Sequence, residues 1–571
     1  MPTQPLPHNP SLSNLRKRAK QLLERARAGQ GEAAEQVREF HPAPPPLAQL
    51  ALHDAQLVVA RLYGFPSWAR LKHHLEQVEP FAWDPQAAPA VDESPADRLI
   101  RLVCLDYGGS WRPLDLAPAR RLLAREPGIA RASIHAAAAA GDAAAVRQLL
   151  AADPALADTR GGPHRWPPLL YACYSRLEPE GDRSTLEAAR ALLDAGADPD
   201  AGFLWCGNVP PFTALTGAFG EGEDGNNSPP HPQRDALARL LLEAGADPND
   251  GQTLYNRHFR PDDGHLVLLF EFGLGRDRGG PWVARFADRM GTPEKMLVEE
   301  LWFAARKNLT ARARLLVEHG ADVNTPGFRD GRTPYEQALL SGNHEIAEYL
   351  AAHGARRVAL PPDQELASAC VAGDGDRVRA IVARHPGLLD QLGPAGRIQL
   401  VARAVETGRA EGVRLMAELG FELGHPIGTT PMHQAAWAGD LAMVRLLVEL
   451  GASTDARDPD YRSTPLGWAH YNHQERVLEY LMQFADIFDA VRCGGVERAA
   501  ALLGERPDLA RAASERGGLV FQLHRGIERL PEMIEVLRAH GVDFSARDRE
   551  GRTAIEALSA RGDQAVADLL G

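Results

Sequence analysis

Apolar residues at helical spacing, closed by a small-residue turn, recur along most of this chain. In one stretch Ala435 and Ala436 belong to a first predicted helix, Val444, Leu446 and Leu447 to one side of a second, and Gly451-Ala452 closes it. Leu192-Leu193 before Gly196-Ala, Leu241-Leu242 before Gly245-Ala and Leu315-Leu316 before Gly320-Ala end three more such units. One apolar side per helix and small residues between helices describe pairs that bury themselves only against neighbouring pairs. The unit openings are marked as well: Gly428-Thr-Thr-Pro-Met-His-Gln-Ala-Ala, Arg332-Thr-Pro-Tyr, Ser463-Thr-Pro-Leu-Gly-Trp-Ala and Arg552-Thr-Ala-Ile. Thr333, Thr430 and Thr464 can accept the first orphan amides of a helix, and the following proline fits its first turn. Gly451 suits a left-handed helix end. Thr430 and Thr464 are 34 residues apart. From about residue 97 onward the pattern predicts an all-α solenoid of roughly twelve helix-turn-helix units.

The rest of the chain departs from this rhythm. Residues 11–29 predict an amphipathic helix with Leu12, Leu15, Ala19 and Leu22 on one face, and Leu47–Leu62 predicts another. Gly64 and Pro66 make a turn, Ser67 caps a further helix, and Phe65 with Trp68 can staple the two. This N-terminal module reads either as a cap on the solenoid or as a separate docking module. The expected division is an N-terminal helical module at 1–80, a Pro- and acid-rich linker at 81–96, a first array at 97–275 with long inserts at 202–232, and a second, more regular array at 276–571 that continues the solenoid. Long polar loops inside an array are functional or disordered in most proteins.

Composition narrows the class. Few aromatics and rare β-branched runs leave little for sheet. The five cysteines are scattered without metal-ligand or redox spacing, which predicts reduced, buried thiols. A net charge of −13, from 63 basic and 76 acidic residues, argues against a nucleic-acid partner. No apolar stretch has the length of a membrane span and no signal peptide is evident, so a cytoplasmic location without membrane contact is expected.

The repeated phrase resembles the ankyrin repeat, T-P-L-H-x-A-A…G-A. The stretches Leu169-Leu-Tyr-Ala-Cys-Tyr-Ser-Arg, Thr213-Ala-Leu-Thr-Gly-Ala-Phe-Gly-Glu-Gly-Glu, Pro229-Pro-His-Pro and Asn249-Asp-Gly-Gln-Thr-Leu-Tyr-Asn are similar to a family of large bacterial ankyrin-repeat proteins. The resemblance implies partner binding through the concave face and finger-like turns, and it brings no catalytic residue.

Motifs for catalysis are absent from the sequence. No phosphate-cradling loop, zinc-protease pair or nucleophile elbow occurs. His344-Glu345 lacks the second histidine, and Gly273-Leu-Gly275 has the wrong spacing for a dinucleotide loop. No cofactor, no metal and no catalytic residue are expected. His135 and His433 occupy a position where the side chain braces the turn. Two clusters are candidate ligand sites. The first is Tyr171, Tyr174, Arg176, Trp205, Glu221, Glu223, His231, Asn249, Asp250 and Tyr255, with Asn256; it could form a polar and aromatic groove at 166–258. There Tyr174, Glu221 and His231 should face one cavity, with Arg176 meeting an acidic ligand group or Glu221. As exposed polar residues, Glu221 and His231 should be replaceable without loss of stability. The second cluster is Trp437, Trp468 and His470, with His433, Tyr461, Tyr471 and His473, which lines the groove or packs between repeats. The function expected is a monomeric, non-catalytic scaffold for a protein partner; the alternative is an enzyme or small-molecule receptor with a small polar ligand at 166–258.

Overall fold

A computed structural model describes residues 4–85, 87, 93–108, 114–277, 279–286, 289–424, 429–514, 517–561 and 563–570. Gly428, which opens the clearest copy of the phrase, and residues 86 and 88–92 of the expected linker lie outside them. The chain forms two compact units, Met1–Glu300 and Leu301–Gly571, and both are mostly helical.

The second unit is the more regular. Short first helices alternate with second helices, as in Pro334–Leu340 with His344–Ala352, Pro431–Ala438 with Leu441–Glu449, and Pro465–Tyr471 with Glu475–Met482. Thr333, Thr430, Thr464 and Thr553 each accept the amide three residues on, so these first helices and Ala554–Ala560 are capped by the threonine of the repeated phrase. Gly451 follows its helix at φ +85°, a conformation cheap only without a Cβ. His433 accepts at Nδ1 from the Thr430 amide and meets the Ser463 carbonyl through Nε2 at 3.0 Å, bracing one turn against the next. Met432, Val444, Leu447, Leu466 and Val477 belong to one continuous core that runs from pair to pair.

The first unit begins with helices Leu12–Arg27, Gly31–Phe40, Leu52–Leu62 and Trp68–Val78, which share a core of their own. Leu15, Ala19 and Leu22 are buried as expected. Ser67 caps the fourth helix. The helix expected from Leu47 starts at Leu52, after a 3-10 turn at Leu47–Gln49. Helix pairs then follow, such as Ile134–Ala140 with Ala143–Ala152 and Pro168–Tyr174 with Thr185–Asp194.

Excess sequence in this unit folds onto what surrounds it. Strand β1 (Ala82–Trp83) runs parallel to β2 (Gly202–Trp205), with Ala82 opposite Leu204, and β2 pairs antiparallel with β3 (Phe212–Thr213). The N-terminal helices lie against this hairpin. Asn9 donates its amide to Cys206 O at 2.8 Å, and Arg289 donates to Tyr63 O at 2.7 Å while stacking on Phe65. Trp166, fully buried, stacks on Phe203 of β2 at 4.4 Å and meets Trp83 of β1 edge-on. The first insert therefore binds the N-terminal module to the helix pairs of its own unit. All five cysteines are buried free thiols.

Candidate functional site

The first candidate cluster occupies the insert-bearing part of unit one, and its side chains are spent on one another and on the backbone. Tyr171 donates to Gly161 O at 2.7 Å and accepts from the amides of His164 and Trp166. Tyr174 donates to Thr213 O at 2.9 Å, and its ring lies where a Cβ on Gly217 would stand, so only glycine permits this approach. Asp250 caps the helix Gly251–Arg257, accepting the amides of Gln252 and Thr253 and the hydroxyls of Thr213 and Thr216. Its carboxyl is raised above the usual range, chiefly by burial.

Arg176 does not pair with Glu221. Its guanidinium donates to four backbone carbonyls: Pro229 at 2.7 Å, Gly217 at 2.9 Å, and Cys173 and Ser175 at 3.1 Å each. The rigid fork of donors thus ties the insert at 220–232 to two first helices. Glu221 pairs instead with Arg257, a residue the sequence gave no reason to single out and one that is wholly buried. Asp262 is that arginine's second carboxylate. His231 meets Thr185 Oγ1 at 2.7 Å and accepts the Gln233 amide. Burial pushes its pKa down to about 3, with the Arg176 charge adding to the effect.

Tyr174, Glu221 and His231, expected to face one cavity, thus each take a separate internal partner. Nor are Glu221 and His231 exposed: both are buried. Asn249 is absorbed too, donating to Asp247 and to Arg276 O at 2.9 Å each and accepting the Gly275 amide. Asn256 donates to Tyr107 Oη at 3.0 Å. Trp205 is half-buried, its indole N–H on Tyr107 O at 3.0 Å. Glu223 is exposed and accepts from the half-buried Tyr255 hydroxyl.

The second cluster is built differently. Trp437 comes from the helix Pro431–Ala438, and Trp468 and Tyr471 come from Pro465–Tyr471. The two indoles meet edge-on at 5.7 Å, and Tyr471 stacks on Trp437 at 5.9 Å. All three rings remain half-buried rather than joining the core. Trp468 is fixed by its N–H to Asp458 Oδ2 at 3.1 Å and by the His433 ring at 5.2 Å. The turn carrying Asp458 also presents Tyr461, which is 48% exposed. His470 sits 5.8 Å from His524, and burial followed by the charges of His524, His473 and Arg492 brings its pKa to about 4. His473 is exposed.

A family model described as ankyrin repeats in three copies matches residues 299–358 and 401–489. These residues carry ankyrin repeats. The match spans the helix pairs opened by Thr333, Thr430 and Thr464, including both tryptophan-bearing helices. Among solved structures, the Bd0816 predatory endopeptidase from Bdellovibrio bacteriovorus in complex with immunity protein Bd3460 aligns at 19% identity over 36% of this chain and 95% of that chain, with a TM-score of 0.21. No helix among the described residues is long and apolar enough to cross a membrane.

Proposed function

We propose that this protein is a non-catalytic ankyrin scaffold that binds a protein partner through Trp437, Trp468 and Tyr471, with Tyr461 on the adjoining turn. One observation carries the reading: three large aromatic rings on consecutive first helices stay half-exposed and in mutual contact, although the same helices bury Met432, Ala436 and Leu466 on their other side. Rigid aromatic anchors of this kind dominate protein interfaces, because they bury much area for little lost rotamer freedom. Ankyrin repeats imply protein interaction at the coarse level, and the half-exposed rings support the strip as the contact surface. Tyr171, Tyr174, Arg176 and His231 support the same choice, since their hydrogen bonds described above run to groups within the chain.

The test is a comparison of variants in the protein's native host. Trp437→Ala with Trp468→Ala should release a co-purifying protein that wild type retains, while circular dichroism stays close to wild type and the loss of stability stays at about 1 kcal/mol per ring. Retention of the same partner by the double variant would remove the strip from the interface.

A further inference from the structure

A second polar concentration lies in unit two, and the aromatic strip does not use it. The last turn of the helix Pro293–Lys307 supplies Arg306 and Lys307, the last turn of Pro394–Glu406 supplies Arg403 and Glu406, and Arg409 precedes the helix Ala410–Glu418. Lys307 Nζ stands 2.5 Å from Glu406 Oε1, and Arg306 Nη2 stands 3.4 Å from Oε2. Arg409 donates to the side-chain oxygens of Asn308 at 3.1 Å and Asn343 at 2.9 Å. Arg332 and Asp330 act on Arg403 from the neighbouring turn. Among the described residues at this notch, five cations (Arg306, Lys307, Arg332, Arg403, Arg409) thus face two carboxylates (Glu406, Asp330). The excess is positive in a chain whose net charge is −13.

The ordinary role for such cations is to satisfy the carbonyls at helix C-termini. Part of the cluster does this: Arg403 donates to Leu340 O at 3.3 Å, and the Asn343 amide donates to Ala305 O at 2.8 Å. That role does not account for the rest. The Nε atoms of Arg306 and Arg409 are buried without a hydrogen-bond partner among the described residues. Buried donors are rarely left unmet. Burial and the Arg306 charge both disfavour the ionised form of Arg403. Glu406 keeps a lowered pKa despite burial because Lys307 and Arg306 hold it ionised. Lys307 and Arg306 still have 29% and 36% of their side chains exposed, so the notch is reachable from solvent.

We propose that the notch formed by Arg306, Lys307, Arg403 and Arg409 binds a phosphate-sized oxyanion, with Glu406 as the internal group that competes for the same cations. The anion neutralises the surplus charge and gives the unmet donors an acceptor. Its source is either free in solution or carried on a peptide. This goes beyond the scaffold reading and stands apart from it, since the notch uses none of the aromatic residues.

The experiment titrates the full-length protein with inorganic phosphate at constant ionic strength, followed by calorimetry and by melting temperature. Wild type should bind saturably. Lys307→Gln should weaken binding about tenfold, the usual loss for one charge-assisted hydrogen bond. Glu406→Gln should strengthen it, which a purely structural ion pair would not do. If Glu406→Gln fails to fold, Lys307→Glu serves in its place and should abolish binding. A neutral peptide with one phosphoserine, set against its unphosphorylated form and inorganic phosphate, distinguishes the sources: tighter binding of the phosphopeptide means a peptide-borne group, and equal or weaker binding means a free anion. A non-saturable response, or one identical in wild type and both charge variants, is a general salt effect and overturns the proposal. Trp437→Ala with Trp468→Ala should leave the phosphate response intact, so the two readings fail independently.

Discussion

Residues 166–258 of the first unit and 431–471 of the second hold similar chemistry: tyrosines, tryptophans, histidines and carboxylates set on first helices and their turns. In the first region these groups are consumed. Arg176 gathers four carbonyls, Glu221 meets Arg257, and Tyr174 reaches Thr213. In the second, Trp437, Trp468 and Tyr471 touch one another and remain half-exposed. The difference lies in the amount of chain available. The inserts at 202–232 supply extra backbone whose carbonyls must be satisfied when they fold over the helices, and the polar side chains satisfy them. The regular repeats at 431–471 carry no such excess, and Trp437, Trp468 and Tyr471 stay half-buried. A break in repeat period therefore marks self-packing here, while the unbroken repeat keeps its rings half-exposed.

The sharpest way to break this comparison is Glu221→Ala. It strips a buried arginine of one of its two carboxylates and should cost about 3–5 kcal/mol in denaturant unfolding. A loss below about 0.5 kcal/mol would mean that the loop is solvated ornament, as expected of exposed polar residues. Leu447→Ala probes the other region's core. With Leu447 fully buried, the loss should be about 2–5 kcal/mol, and hydrogen exchange should show it concentrated in the adjacent repeats. Uniform loss of protection across unit two would instead mark that unit as a single cooperative block.

Acid should separate the regions next. His164 is buried against Trp83, Trp166 and Tyr171 with neither ring nitrogen hydrogen-bonded among the described residues, and burial pushes its pKa down to about 3, as it does for His231. Both pKa values lie below the ordinary 6.5, so the folded state favours the neutral rings. Their stabilisation is complete above about 6.5 and is lost as pH falls toward 3. His164→Phe, which forfeits no ring hydrogen bond, should recover roughly 1–3 kcal/mol at pH 4 and almost nothing at pH 8. Equal gains at both pH values would assign the effect to packing. The smallest effect per residue on stability belongs to Trp437→Ala with Trp468→Ala. Half-exposed rings should cost about 1 kcal/mol each in melting experiments, yet remove 2 kcal/mol or more of partner affinity. A larger loss of stability than of binding would return the strip to the core.

The repeating elements were legible because their causes are local. A threonine three residues before an amide, a proline in a first turn and a glycine at positive φ act within one turn of chain, so Thr333, Thr430, Thr464 and Gly451 could be read without neighbours. His433 was legible for the same reason. Nothing comparable announced Arg257. Its partner Glu221 stands 36 positions away, and ion pairs at that range depend on how an insert folds back. Lys307 and Glu406, 99 positions apart in sequence, met for the same non-local reason.

By itself the sequence determined the helical repeat, its caps and its buried face, since helix formation and apolar periodicity are set within a few residues. Only the tertiary structure decided which polar side chains would be free. Strand β1 joining the 202–213 hairpin, and the insert closing over Tyr174 and Asp250, spend side chains that composition alone offered as ligands. Burial and pairing are properties of what packs against a residue, and in a repeat protein with insertions that neighbour lies far along the chain.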